Sequence, residues 1–467
     1  MGTMRDRQPH KAWPAGSHDT EKLENIMITP QENEQLSRVG PGTLMGNFLR
    51  QFWTPVCLSS ELVADGDPLR LMIMGEKLIG FRDTSGRVGV LDHRCPHRCA
   101  SLFFGRNEEN GIRCAYHGWK FDVEGKCLDQ PNLTDKNKFP AGVPAKAYRV
   151  KEQGGLVFIY MGNREVAPEL PELEAIMGEA NDLNIALTQR ECNWLQALEG
   201  DIDTSHLGFL HVGGVDGERL DMNDPERFTV INKAPTINVS EMSFGTMYSA
   251  QRDAFEGTEH HRFACFVYPF WVTYPSHSLE HNVTANAWVP IDDENTMIFN
   301  IDLTRAQGRN KQLKYADGTQ VPGLARPLDY LPRTTDWQGR WRAAKNFAND
   351  YGIDREMQRS GESYTGITGI PLQDQAIQES MDSIVDRTME HLAASDRMVM
   401  LTRKVLLQSA RDFAESGQLP EVLDNPALAR DARGGDIVVP VGTDWLEGYE
   451  EKMALAKGYR PKLDVAE

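Results

Sequence analysis

Cys95-Pro-His97 and, 16 residues further on, Cys114-Ala-Tyr-His117 place two cysteine–histidine pairs in one short stretch of a 467-residue chain. Two thiolates can hold one iron and two neutral imidazoles another, the ligand set of a [2Fe-2S] cluster whose potential lies above that of an all-cysteine one. The same four residue types could ligate zinc. Zinc fingers usually pair CxxC with HxxxH rather than two mixed loops, so the spacing favours the cluster. A second group, Glu199, Asp203, His206 and His211, lies within NWLQALEGDIDTSHLGFLH. Two histidines and one carboxylate on one face are what mononuclear, dioxygen-activating iron requires, with coordination positions left open. On a straight helix Asp203 and His206 stand about 60° apart, but residues five apart stand about 140° apart. A distorted turn is therefore expected between His206 and His211, and Gly208 supplies the backbone freedom for it.

These groups need ordered elements to aim them. Thr29, Pro30 and Glu32 occupy N-cap, N1 and N3 positions and Gly40 follows the periodic run, which predicts a helix over about 30 to 39. From about Phe52 to Met161, short apolar runs such as LRLMIMGEKLIGFRDTSGRVGVLDHRC and GLVFIYMG alternate with turn residues. That pattern predicts a β-rich module whose hairpin tips carry the two Cys/His pairs, with Trp119 and Phe121 packed beneath the second loop. A helical stretch over 193 to 212 and strand-like runs over 228 to 303 follow. Residues 304 to 340 read as an extended loop, 373 to 417 as a long proline-free stretch of helix formers, and the polar residues 1 to 28 as a loose arm.

CPHRCAS and CAYHGWKFD, with their spacing, resemble the Rieske domain of Rieske non-heme iron oxygenases. RVGPGTLMGNFLRQFWTPVCLSSEL and IQESMDSIVDRTMEHLAASD are similar to the phthalate 4,5-dioxygenase-like branch, which includes aromatic O-demethylases. The resemblance implies an α+β chain in three parts. An N-terminal arm and helix over 1–49 would pack on the catalytic domain, a β-rich Rieske [2Fe-2S] domain would span 50–162, and the mononuclear iron domain would span 163–467. The last is expected to have a curved antiparallel sheet with helices, of helix-grip (START-like) type.

The resemblance also implies roles. Cys95, His97, Cys114 and His117 would hold the cluster, while His206 and His211, joined by Asp374 of PLQDQAIQESM, would hold mononuclear Fe(II). Glu379, Asp382 and Asp386 are the alternative carboxylates nearby. Asp203 would bridge His206 to His117 of an adjacent subunit, and Glu199 would extend that network, so both enter the catalytic set. Cys99 has no counterpart at Ala115, where respiratory-chain Rieske proteins carry a second-loop cysteine, so no cluster-bracing disulfide is expected. Arg227, Arg252 and Arg262 fall on or beside strands of the catalytic domain, and an arginine fork suits a substrate carboxylate. His260, His261, His277 and His281 form no ligand spacing with these motifs. The implied reaction hydroxylates or dihydroxylates a small, carboxylated aromatic compound with O2. Electrons would come from a separate reductase, of FMN/[2Fe-2S] type or a reductase plus ferredoxin, and the assembly would be a homotrimer or a multiple of it. Oxidative O-demethylation of a methoxylated aromatic is the alternative, and a Rieske electron-transfer protein without oxygenase activity is a further one.

Composition closes off other classes. Fifty Lys and Arg against 68 Asp and Glu leave a net charge of −18, the wrong sign for nucleic acid or anionic lipid. The longest apolar stretch, Phe263 to Pro275, is far shorter than the ~20 residues of a membrane span. Seven cysteines, odd in number and unevenly spaced, fit a reducing compartment. With no apolar leader in the first residues, the expected location is cytoplasmic. No GxGxxG sits in a useful context, which leaves nicotinamide binding to a partner.

Overall fold

The computed structural model describes residues 28–458 apart from 140–141, 223, 225, 277, 304–312 and 325–327. The arm expected over 1–28 lies, but for its last residue, outside the described residues, as do His277 and part of the 304–340 segment. The chain enters through α1 (Pro30–Ser37) and α2 (Leu44–Leu49). Thr29 and Glu32 form the reciprocal cap the sequence predicts. The helix ends before Gly40 because Arg38 is already extended, its guanidinium tied to Glu34 and Asp293, and the Val39 amide donates to Asp293 at 2.8 Å.

The β-rich module has two antiparallel sheets. One is ordered β1 (Trp53–Leu58), β10 (Leu156–Tyr160), β9 (Ala147–Gln153), β4 (Val88–Asp92), β3 (Glu76–Arg82), β2 (Leu69–Ile73). The other runs β5 (Arg106–Glu108), β6 (Gly111–Arg113), β7 (Lys120–Phe121), β8 (Cys127–Asp129). The turn after β4 carries Cys95 and His97, and the tip between β6 and β7 carries Cys114 and His117. A separate small core of Ile79, Phe81, Leu91, Leu102, Ile112, Trp119 and Phe121 lies beneath them.

The larger sheet has eight strands: β11 (Leu183–Arg190), β17 (Thr296–Leu303), β16 (Thr284–Pro290), β15 (Trp271–Thr273), β14 (Thr258–Val267), β13 (Gly245–Asp253) and β12 (Thr236–Met242), with β18 (Gly435–Pro440) also paired to β14. All these pairings are antiparallel. α3 (Trp194–Asp201) packs on β16, and α6 (Arg397–Ser416) packs on β12 and β13, where Thr402 and Thr246 share a hydrogen bond of 2.8 Å. α4 (Glu226–Ile231) and α5 (Ile370–Glu379) frame the site, and α7 (Trp445–Gly458) closes the chain. The strand-like region expected from 228 therefore begins with a helix, and its first strand starts at Thr236. The long helical stretch expected over 373–417 is interrupted between Glu379 and Arg397, where Asp382 adopts φ +68° and Asp386 caps a short turn through the Thr388 amide. The two modules share one buried core, and the Met74 and Gly75 amides donate across to the carbonyls of Pro290 and Ile291 at 2.9 and 2.8 Å.

A buried ionic knot ties the helices together. Glu199 on α3 accepts two hydrogen bonds from Arg403 on α6, at 2.6 and 2.8 Å, and lies 3.5 Å from Arg387, whose Nη1 donates to Asn33 and Ser37 of α1. Burial opposes the Glu199 charge, but the two guanidinium groups outweigh it and hold the carboxyl below its usual range. Removing one member of a buried charge group leaves the others uncompensated. Glu199→Gln is therefore expected to lower stability by about 3 kcal/mol, read as a fall in the urea midpoint, with the cluster spectrum of the folded protein unchanged.

Candidate metal centres

The two cluster loops are built to one plan. In the first, the Cys95 amide donates to Ala100 O and the Cys99 amide returns to Cys95 O, both at 2.8 Å. In the second, the Cys114 amide donates to Trp119 O at 2.8 Å and the Gly118 amide returns to Cys114 O at 2.9 Å. The fourth residue after each cysteine must turn left-handed, with Cys99 at φ +59° and Gly118 at φ +78°. At 118 a side chain is excluded outright, because a Cβ would sit 2.6 Å from Pro131 Cγ. The closed turns bring the His97 and His117 rings to 4.5 Å between centroids, and Trp119 stacks on His97 at 4.6 Å with 4° between planes.

The donor set fits a cluster. Cys95 and Cys114 are buried and face each other. Burial pushes the Cys95 thiol up to about 12, and the neighbouring Cys114 adds to the shift, so this thiol ionises readily only with positive charge beside it. His117 Nδ1 is sealed from solvent without a hydrogen-bond partner, an orphan that a metal would satisfy. Cys99 is an exposed free cysteine.

The second centre comes from α3 and the turn after it. Residues Leu207–His211 form one π-helical turn, with the Val212 amide donating to Leu207 O at 3.1 Å. A π-turn brings residues five apart into line, and that is the distortion the His206/His211 spacing requires. The two Nε2 atoms lie 3.1 Å apart, and Asp374 Oδ1, delivered by α5, lies 3.2 Å from His211 Nε2 and 3.7 Å from His206 Nε2. One ligand atom from each of the three residues falls within 4.8 Å of the others. The opposite ring nitrogens face acceptors: His206 Nδ1 is 3.4 Å from Asp203 Oδ2, and His211 Nδ1 is 2.7 Å from Gln373 Oε1. Each ring thus has an acceptor behind its Nδ1 and turns its Nε2 toward Asp374, an arrangement that suits a divalent metal ion. Burial disfavours the charge on Asp374, yet His211 and then His206 bring its carboxyl down to about 2. Burial likewise opposes protonation of His206, but Asp203 first, then Asp374 and Asp201, lift it to about 9. The site attracts positive charge.

The alternative carboxylates are engaged elsewhere. Glu379 accepts from the Glu191 amide, Gln375 and the Tyr351 hydroxyl. Asp386 caps its turn, and Asp382 is exposed, on a loop held by a hydrogen bond from Gln196 to its backbone carbonyl. Glu199 sits in the ionic knot between helices, its contacts with Arg387 and Arg403 rather than with Asp203. The three arginines separate. Arg227 donates to Gly217 O and pairs with Glu218. Arg262 is saturated by Glu226, Asp436 and Pro275 O. Arg252, 3% exposed, gives Nε to Asn232 O but leaves Nη1 buried without a partner. Burial and then the nearby Arg262 bring it down to about 10. His260, its cross-strand neighbour, also keeps a buried orphan nitrogen, while its other nitrogen meets Asp436 at 3.2 Å. Sequence reading missed Gln373 and Asp201. Gln373 immediately precedes Asp374, and that adjacency is the one signal that pointed to it.

Two family models match the chain: the Rieske [2Fe-2S] domain over residues 52–140 and the LigXa C-terminal domain like family over 159–461. The chain is 43% identical to the 3-chlorobenzoate-3,4-dioxygenase oxygenase subunit of Comamonas testosteroni, across 91% of this chain and 99% of that one. It is 36% identical to the phthalate 4,5-dioxygenase oxygenase subunit of Pseudomonas putida, across 83% and 87%. To the 5,5'-dehydrodivanillate O-demethylase oxygenase subunit of Sphingobium sp. (strain NBRC 103272 / SYK-6) it is 31% identical, across 86% and 85%. Its fold matches that of NdmA from Pseudomonas putida CBB5 with a TM-score of 0.51 at 16% identity, covering 86% of this chain and 99% of that one.

Gln373 offers a test of how the second centre is held. Its oxygen takes the His211 Nδ1 proton while its Nε2 donates to Ile367 O at 2.8 Å, so the amide cannot turn over without losing both. Outer partners of metal-binding histidines are worth roughly 10–100-fold in metal affinity. Gln373→Leu is expected to weaken iron retention at the second centre by about that factor, measured by iron content after graded chelation, while the cluster absorbance stays.

Proposed function

The chain belongs to the Rieske non-heme iron aromatic oxygenases, in the phthalate 4,5-dioxygenase-like branch, and on that premise we propose which of its residues carry the reaction and what it acts on. An oxygenase subunit of this kind uses a [2Fe-2S] cluster, mononuclear iron and O2, and works in a multi-component system with a separate reductase. Cys95, His97, Cys114 and His117 are the proposed cluster ligands, and His206, His211 and Asp374 the proposed iron ligands. When bound, the cluster passes electrons one at a time and the iron activates dioxygen for insertion into the aromatic ring.

The observation that carries this assignment is the convergence of three donor atoms whose imidazoles are each oriented from behind by Asp203 and Gln373. A chain that only relayed electrons would have no use for it. Asp203 keeps the His206 ring in register and stays partly exposed, which supports its role as a bridge to His117 of the partner subunit in a head-to-tail homotrimer. Exposed Phe104, Tyr116 and Phe139 on the cluster module, and Phe209 and Tyr364 beside the π-turn, give both faces apolar surface suited to such a contact. The reductase proposed is of FMN/[2Fe-2S] type or a reductase plus ferredoxin. The location proposed is the cytoplasm, in keeping with seven free cysteines and no helix among the described residues long and apolar enough to cross a membrane.

The substrate proposed is an aromatic acid, its carboxylate met by Arg252, whose Nη1 has no partner within the described residues. Oxidative O-demethylation is the second reading, supported by the 31% identity to the dehydrodivanillate O-demethylase subunit. A cis-diol product marks the first and formaldehyde the second.

Iron content tests the metal assignment. Anaerobically purified protein is expected to hold about three irons per chain, two in the cluster and one at the second centre. Asp374→Ala should fall to about two with an unchanged Rieske-type paramagnetic signal and no turnover. Full turnover by Asp374→Ala would move the third ligand elsewhere. For the substrate, Arg252→Gln is expected to raise KM for an aromatic acid at least about tenfold, with both metal sites intact. An unchanged KM would remove Arg252 from the binding site.

A further inference from the structure

Asp201 ends α3, two residues before Asp203, and its carboxylate is divided in use. Oδ2 accepts from the Asn286 amide and from the Trp288 indole N–H, both at 2.6 Å. Oδ1 takes no hydrogen bond among the described residues, and the residue is half-buried, so this oxygen is not sealed as the orphan atoms of Trp194 and His260 are. The orientation is fixed from behind. Asn300 donates to Asn286 Oδ1 at 2.6 Å and to the Tyr274 hydroxyl at 2.9 Å, so Asn286 has only its N–H groups left to offer Asp201. Donors therefore run in one direction, from β17 through β16 into this carboxylate.

The groups around Asp201 place it. Asp374 and Arg190 act on it, and it acts in turn on His206. Arg190 lies over the Trp288 ring at 5.8 Å and donates to Pro371 O at the start of α5. Asp201 thus sits where the end of α3, strand β16 and the first turn of α5, the helix that carries Asp374, come together.

Resting on the oxygenase reading above, we propose that Asp201 Oδ1 is a specificity-determining acceptor for a donor group on the substrate, and that the substrate class is a hydroxyl-bearing aromatic acid. An ionised carboxylate presents acceptors and no donor. A ring hydroxyl satisfies Oδ1, whereas a methoxy group in the same place desolvates it unpaired. Sites built around one polar partner reject analogues that lack it far more strongly than apolar pockets reject a change in size.

The test is binding of the three hydroxybenzoate isomers and their methyl ethers to the holoenzyme, followed calorimetrically. For at least one isomer, the wild type is expected to bind the hydroxyl form about tenfold or more tightly than its ether, the worth of a hydrogen bond to a charged group. In Asp201→Asn the donors of Asn286 and Trp288 draw the amide oxygen to themselves and leave Nδ2 facing the pocket. The preference should then vanish or invert while cluster spectrum and iron content are retained. Trp288→Phe removes one donor to Oδ2 but leaves Oδ1 open, and should keep the preference. Equal wild-type affinity within every pair, or a preference that survives in Asp201→Asn, overturns the proposal. An equal loss for both members of a pair in Asp201→Asn also overturns it, because it assigns Asp201 to holding β16. If the wild type binds no member of any pair, the aromatic-acid reading falls as well, so the two failures are distinguishable.

Discussion

Two imidazole nitrogens 3.1 Å apart, with a carboxylate oxygen 3.2 Å from one of them, form a convergence of three donor groups on which the rest of the site depends. Both rings turn Nε2 to one point, and the folded chain must hold them there. It does so with restraints that come from far apart in sequence. The π-turn sets the spacing, Asp203 and Gln373 take the outward ring protons, and Arg190 ties the end of β11 to the first turn of α5. A metal ion would be met by all three groups, and the rigid frame around them means that little of the binding energy is spent on ordering ligands.

The ionic knot around Glu199 belongs to the same problem. α3 leads directly into the π-turn, so any slip of α3 along the sheet would carry His206 and His211 with it. Arg387 and Arg403 fix α3 to α1 and α6 at one end. Asp201, two residues beyond Glu199, fixes the same end to β16. Buried ion pairs contribute little net stability, yet they discriminate strongly against displaced arrangements, because any shift leaves a charge buried and unpaired. Glu199 thus serves the site by placing α3, a role its sequence position beside Asp203 did not disclose.

What the sequence disclosed depended on how local each feature is. The cluster loops could be read because each ligand pair lies within one turn, and the turn is closed by its own backbone. The need for a distorted helix between His206 and His211 followed from angular geometry alone. Asp374 could be named only by resemblance, since nothing local separates it from Glu379 or Asp386; the distinction lies in which side of α5 faces His211. Arg252, Arg262 and Arg227 looked alike as letters. They differ because Asp436, from a strand 174 residues beyond Arg262, neutralises one of them and leaves its neighbour without a carboxylate. The helix expected across 380–396 failed for a related reason: Gln196, Asn193 and Asn33 capture backbone carbonyls and amides of that segment, and these tertiary bonds outweigh local helix propensity.

The placement of the two kinds of residue separates reactivity from selectivity. The proposed iron donors lie on the α3 turn and on α5, where a small angular change would break the convergence. The groups argued to meet substrate, Arg252 on β13 and the chain Asn300–Asn286–Asp201 reaching in from β17 and β16, are carried or aimed by the sheet. Strand residues alternate between faces, so one inward side chain can be exchanged without moving its neighbours or the backbone. Polar groups on this wall must still be paired, and the one-way run of donors toward Asp201 leaves two atoms wanting partners of opposite kind: an acceptor oxygen near the iron ligands and a guanidinium N–H further along the sheet. On the proposed reading, a ligand that met both demands would be selected by polarity at both ends before the reacting position is chosen.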